Sequence, residues 1–152
     1  MLTLVIERLP FCPRNRSHSA IYNSKTKQAM VVKTEAGRSY EKALKQVIKK
    51  YAEEAKLLTA EFDPQKFGLF FQATYYTPEF YTKDGRISQT STDLDAHKIL
   101  QDVISEFIGI DDGYIIDSYT RKRYAEVFKY VIKIELISKP VKGELDDYEL
   151  LS

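Results

Sequence analysis

The residues best equipped for chemistry lie in Thr92-Asp93-Leu94-Asp95-Ala96-His97-Lys98, continue to Asp102, and resume at Ile110-Asp111-Asp112-Gly113. Asp93 and Asp95 are two apart, so an extended approach segment points both side chains the same way. At about 100° per residue, Asp95, Lys98, Asp102 and Glu106 fall in one narrow stripe of a helix. Carboxylates gathered this closely repel one another unless a cation neutralises them. Mg²⁺ suits such a cluster, because it takes oxygen ligands and binds through one or two carboxylates plus a substrate phosphate. An ion held there activates water and stabilises the leaving oxygen of a phosphodiester, and Lys98 can steady the developing charge. Taken singly, each acid also has a plain reading. Asp93 or Asp95 serves as a helix N-cap, Asp112-Gly113 as a turn, and Asp102 with Glu106 as a solvated helix face.

Positioning these groups needs a helix over about Ala96–Ile108, with Leu100, Val103, Ile104 and Phe107 as its apolar face and Gly109 as its stop. A strand over Tyr114–Tyr124 would then carry the chain back alongside that helix, letting one cluster draw on both acidic pairs. Upstream, Leu2–Glu7 alternates as a half-buried strand. Pro10 and Pro13 break it, and residues 14–33 read as a long basic loop. Thr34 to about Leu57 is the strongest helix: Thr34 can cap it, and Tyr40, Leu44, Val47, Ile48, Tyr51 and Ala55 recur three and four apart. Phe67–Thr77 is an aromatic-rich strand and residues 78–92 a loop. Val127–Ile137 alternates as a strand, and a short connection near Ala125 predicts an antiparallel hairpin with Tyr114–Tyr124. The order β-α-β-α-β-β is an α+β domain, with two helices packed on one mixed sheet over residues 1–140. Residues 141–152 read as an acidic tail, expected to be poorly ordered.

The chain has 152 residues, one domain's worth, with 43% hydrophobic and 30% charged residues. That balance excludes a disordered chain or a membrane bundle, and no apolar run reaches the ~18 residues of a membrane span. The one cysteine, Cys12, forms no internal disulfide, so a reducing cytoplasm is the expected setting. Cys12 reads as a small buried residue rather than a nucleophile, and His18 and His97 as surface residues. Tyr75, Tyr76 and Tyr81 read as packing rather than as stacking platforms. The net charge of +1 hides an asymmetry. Residues 1–50 hold eleven Lys/Arg against three acids, a net of +8, and residues 51–152 carry −7. Such a division points to nucleic acid.

Four pieces of sequence, in order, resemble the RusA family of Holliday-junction resolvases found in bacteria, phages and prophages. Leu9-Pro10-Phe11-Cys12-Pro13-Arg14-Asn15-Arg16 is similar to the family's early Leu-Pro-x-x-Pro-x-Asn turn. Thr34 to Tyr40 is similar to its entry into the first helix. Asp93-Leu94-Asp95 with Lys98 and Asp102 resembles its Asp-x-Asp-Asn-x-x-Lys-x-x-x-Asp core, with Ala96 in place of the Asn and one residue fewer before the lysine. Ile110-Asp111-Asp112-Gly113-Tyr114-Ile115 resembles its Asp-Asp-x-x-Ile entry to a strand. The resemblance covers about residues 2–137. It implies a homodimeric, Mg²⁺-dependent endonuclease (Mn²⁺ being the alternative ion) that resolves four-way junctions by paired nicks in recombination and repair. It makes Asp93, Asp95 and Asp112 the metal-binding carboxylates, Lys98 the essential lysine, and Asp102 and Asp111 the accompanying acids.

The expected contacts to DNA phosphates are Arg14, Arg16, Lys25, Lys27, Arg38, Lys83, Arg86, Arg121, Lys122 and Arg123. Two other functions fit parts of the pattern. The missing Asn and shortened spacing fit a non-catalytic junction-binding protein on the same fold. A purely solvated acidic stripe fits a protein-interaction module.

Overall fold

The computed structural model describes residues 1–9, 18–88 and 98–141. Strand β1 (Leu2–Glu7) is followed by β2 (His18–Asn23) and β3 (Gln28–Lys33). Helix α1 (Glu35–Ile48) leads through a 3-10 turn at Lys49–Tyr51 into α2 (Ala52–Glu61). Then come β4 (Phe67–Thr77), α3 (Lys98–Ile108), a 3-10 turn at Asp112–Tyr114, β5 (Ile115–Tyr124) and β6 (Lys129–Ser138). The main sheet has the order β1-β6-β4-β5. β6 pairs antiparallel with both β1 and β4, and β5 pairs parallel with β4, so the sheet is mixed.

One face of this sheet and the helices form the core. Leu2, Leu4 and Ile6 of β1 are buried, as their alternation requires, with Leu69, Phe71, Ala73 and Tyr75 of β4 and Tyr130, Ile132 and Ile134 of β6. Tyr75 and Tyr130 stack with ring centroids 4.7 Å apart. The helices add Tyr40, Leu44, Ile48, Ala55, Leu58, Leu100, Val103 and Ile104, and α1 and α2 both pack on α3. Thr34 caps α1 by accepting from the Gly37 N–H at 3.1 Å, which satisfies one of the helix's unpaired donors.

The structure changes four details of the sequence reading. Residues 18–33 are not loop but a separate two-stranded sheet of β2 and β3. Its turn, Ser24–Lys27, contains no glycine or proline, and Lys27 takes the left-handed φ of 55° itself. The first helix does not run unbroken to Leu57. The 3-10 turn divides it, and α2 extends to Glu61, because a tighter turn re-aims the apolar face. Tyr51 in that turn holds β1: its hydroxyl accepts from the Val5 N–H at 3.0 Å and faces the Val5 carbonyl at 3.2 Å. Finally, β5 and β6 are not a hairpin. β4 lies between them, because α3 carries the chain from β4 to a parallel neighbour, the connection parallel strands require. The fourth change is at Tyr81, which packs edge-on to Phe80 at 4.7 Å and beside Tyr124 at 5.8 Å between ring centroids, yet stays 53% exposed. Pro10–Ser17, including Cys12, and the tail at 142–152 lie outside the described residues.

Candidate active site

Helix α3 positions the acids, and its ends are set by local chemistry. Leu100, Val103, Ile104 and Ile108 bury one face, which turns Asp102 and Glu106, one helical turn apart, toward the other. Gly109 stops the helix at φ 70° and donates to the Ser105 carbonyl at 3.0 Å. Gly is the residue that adopts this conformation without cost from a side chain. Thr59 of α2 donates its hydroxyl to the Ile108 carbonyl, tying down the same end. Ile110 is buried immediately afterwards, and Asp111 and Asp112 begin the 3-10 turn that feeds β5.

Asp102, Glu106, Asp111 and Asp112 therefore meet, with Ser105, Gly109 and Ile110, around a shallow groove of about 350 Å³. The Asp111 carboxylate accepts from the Gly113 N–H at 2.7 Å and so caps its own turn. Glu106 approaches Lys45 of α1 at 3.7 Å. Asp112 is half-buried and directly follows the capping acid. All donors in this groove are oxygens, the kind a hard cation such as Mg²⁺ takes. Among the described residues, no three Asp, Glu, His or Cys come together closely enough to hold a metal ion.

Lys98 is the first residue of α3. Asp112 lies past its last turn, so an eleven-residue helix with an axis of about 16 Å stands between them. The returning strand β5 does run alongside β4, but it begins, rather than ends, at the acids. Asp102, one helical turn after Lys98, lines the groove with Asp111 and Asp112, so the described part of the expected cluster runs along α3 to its C-terminal end. Asp93 and Asp95 lie outside the described residues, as do Arg14, Arg16 and His97.

The expected phosphate contacts fall in several places. Lys25 and Lys27 are exposed in the β2–β3 turn. Arg38 on α1 donates to the Lys33 carbonyl at 2.9 Å and lines a groove with Glu41, Lys42, Lys45, Gln46 and Lys49. Sequence reasoning singled out Arg38 but not Lys42, Lys45 and Lys49, although their spacing of three and four from it was a readable signal. Two of the cations here are matched by one acid: Glu41 pairs with Lys33 at 2.6 Å and with Lys45 at 3.1 Å. The Lys33 ammonium is the main reason the Glu41 carboxyl sits below its ordinary value. Lys83 and Arg86 are exposed in a small turn closed by a bridge between Tyr81 and Ile87. Arg86 pairs with Asp84 at 2.8 Å, and the Thr82 hydroxyl, more than Arg86, lowers the pKa of Asp84.

Strand alternation divides Arg121-Lys122-Arg123. Lys122 donates to the Ser88 carbonyl at 3.0 Å and lies 5.9 Å from the Phe80 ring centroid, anchoring the segment after β4. Arg121 and Arg123 project from the opposite, exposed face. Among the described residues, no helix is long and apolar enough to cross a membrane.

No curated protein matches this chain. The family described as Endodeoxyribonuclease RusA matches it over residues 10–135. That span takes in both helical ends of the site, its lysine and all its acids, from the segment after β1 to the middle of β6. The chain accordingly belongs to the RusA family of Holliday-junction endodeoxyribonucleases and is a hydrolase acting on DNA.

Proposed function

We propose that this enzyme is a Mg²⁺-dependent homodimer that resolves four-way junctions by paired, symmetric nicks. The observation that carries the proposal is the family match, which spans the acidic groove at the end of α3. Asp93, Asp95 and Asp112 would hold the ion, and Asp102 and Asp111 would support it. When bound, the ion supplies a water acidic enough to attack the phosphodiester and a positive charge for the leaving oxygen. Lys98, at the N-terminal end of α3, holds the phosphate and its developing charge. Asp111 fixes the turn that presents Asp112. The basic groove of α1, the β2–β3 turn and the exposed arginines of β5 take the sequence-independent phosphate contacts that orient the junction.

Two chains related by a two-fold axis match the approximate symmetry of a four-way junction.

The test is a four-way junction incubated with the protein and Mg²⁺. Symmetric paired nicks are expected, absent on linear duplex of the same sequence and absent with EDTA. Salt-sensitive junction binding without cleavage in either Mg²⁺ or Mn²⁺ would refute the proposal. Mixing Asp93→Asn chains with Asp112→Asn chains tests whether one chain supplies all three carboxylates. Mixed dimers regain one active site if the carboxylates come from two chains, and none if they come from one.

A further inference from the structure

The helices cover one face of the main sheet. The other face carries no helix among the described residues: Tyr119, Arg121, Arg123 and Lys133 are exposed on it, Gln72, Tyr76, Lys129 and Val131 are half-buried, and Thr74 is buried between its neighbours. Register shows which side chains share it. Arg123, Tyr76 and Lys129 form one cross-strand row, Arg121, Thr74 and Val131 the next, and Tyr119, Gln72 and Lys133 the third. The register shift between Leu69 and Phe70 puts Tyr119 and the two arginines on this side. Tyr119 is 55% exposed and leans against Phe70 with ring centroids 5.6 Å apart. The Gln72 amide lies against the Arg121 guanidinium and steadies it over the strand. Lys129 lies 5.6 Å from the Tyr76 ring centroid.

Charge separates the two ends of this face. Asp117 and Glu135 flank Phe70 at the end where β4 begins. Arg121, Arg123, Lys129 and Lys133 occupy the end where β4 finishes, with Glu7 at the margin beside Lys129. None of these four cations has an ion-pair partner among the described residues, whereas Lys33 and Lys45 on the helical side share Glu41. An exposed aromatic ring bordered on a sheet face by cations without ion-pair partners is the arrangement that stacks unpaired bases and tracks their phosphates. The major groove of a closed duplex admits a two-stranded ribbon at ~12 Å, so a face of three strands suits DNA that is already open.

We propose that the exposed face of β5, β4 and β6 binds single-stranded DNA, stacking a base on Tyr119 and holding the backbone with Arg121, Arg123, Lys129 and Lys133. This surface rests on the resolvase reading only for its source of unpaired strands, the open centre of a junction. The basic end is the one from which β4 leads on toward Lys98.

The chain contains no tryptophan, so Tyr119→Trp installs a unique fluorophore. Titration with oligothymidylate, without metal, is expected to quench its emission by stacking, and the same oligonucleotide annealed to its complement is expected to quench far less. Tyr119→Ala weakens binding about tenfold, the order of one lost base stack, while Tyr119→Phe keeps wild-type affinity. Lys133→Gln reduces the salt slope by about 0.7, one phosphate contact on a single strand. Equal affinity of wild type and Tyr119→Ala overturns the proposal. So does emission from Tyr119→Trp that changes with protein concentration but not with oligonucleotide, which makes the face a contact between copies. Absence of junction cleavage by the wild-type protein, with quenching of Tyr119→Trp intact, refutes the resolvase reading and leaves this surface standing.

Discussion

Replacing Gly109 separates backbone strain from packing. Its φ is 70°, and a Cβ added there meets no atom within 4 Å. Alanine therefore introduces no clash. It introduces only the left-handed strain of an L-residue, about 1–2 kcal/mol, partly offset by the smaller freedom of alanine in the unfolded chain, about 0.4–1 kcal/mol. The net loss is about 1 kcal/mol. In a chain of this size that lowers the melting temperature by about 2–4 °C. Asparagine tolerates the left-handed region better than alanine, so Gly109→Asn should melt between wild type and Gly109→Ala. Thermal unfolding of the three proteins, followed by circular dichroism, gives the order directly. Gly109→Ala melting with wild type, or Gly109→Asn melting below Gly109→Ala, would show that the turn before Asp111 and Asp112 is not held by this φ.

Other perturbations have equally definite outcomes. Thr34→Ala removes the cap of α1 and costs about 1 kcal/mol, read as a fall of about 2–4 °C in melting temperature; Thr34→Ser retains most of it. The Glu41 carboxyl is held below its ordinary value near 4.5, chiefly by Lys33, with burial opposing and Lys45 assisting. Its stabilising contribution is full above that value and disappears as pH falls through the lowered one, so melting temperature declines more steeply with acid in wild type than in Glu41→Gln. Asp112→Asn is expected to lower junction cleavage at least ~100-fold, beyond the ~10–100-fold typical of groups that only support a metal ligand. Its junction affinity, measured by gel shift in EDTA, should stay within about twofold of wild type, since fewer negative charges do not weaken phosphate binding.

Features decided by neighbouring residues were legible in the sequence. The Leu2, Leu4 and Ile6 alternation specified which face of β1 is buried, Thr34 marked a helix start, and Gly109 marked a helix end. Strand order depends on distant partners, so nothing around Ala125 revealed that β4 inserts between β5 and β6. The β2–β3 hairpin escaped because Lys27 supplies a positive φ without the glycine that normally announces one. In the site, the Gly109 turn made the meeting of Asp102 with Asp111 and Asp112 foreseeable. The length of α3 and the place of Asp111 and Asp112 just past it were also readable, whereas the parallel placement of β5 beside β4 was not. The run Arg121-Lys122-Arg123 looked like one basic patch. Pleating separates it, and the shift beside Leu69, invisible in composition, decides which two residues share a surface with Tyr119.

The hydroxyl of Tyr51 on Val5 bears on how the sheet ends. β1 is an edge strand, and its outward N–H and C=O groups would otherwise offer a template for strand addition. At its centre a tyrosine side chain from the helical layer already occupies one such pair. A second chain cannot zip along β1 without displacing it. The opposite edge, β5, has no such plug among the described residues, and it carries Arg121, Lys122 and Arg123, whose mutual repulsion discourages pairing with another copy of itself. The two margins thus resist strand-to-strand pairing by different means, one by occupancy and one by charge. Of the two, only the charged margin can be neutralised by a polyanion, so DNA would relax the barrier to chain-to-chain pairing at β5 while leaving β1 closed.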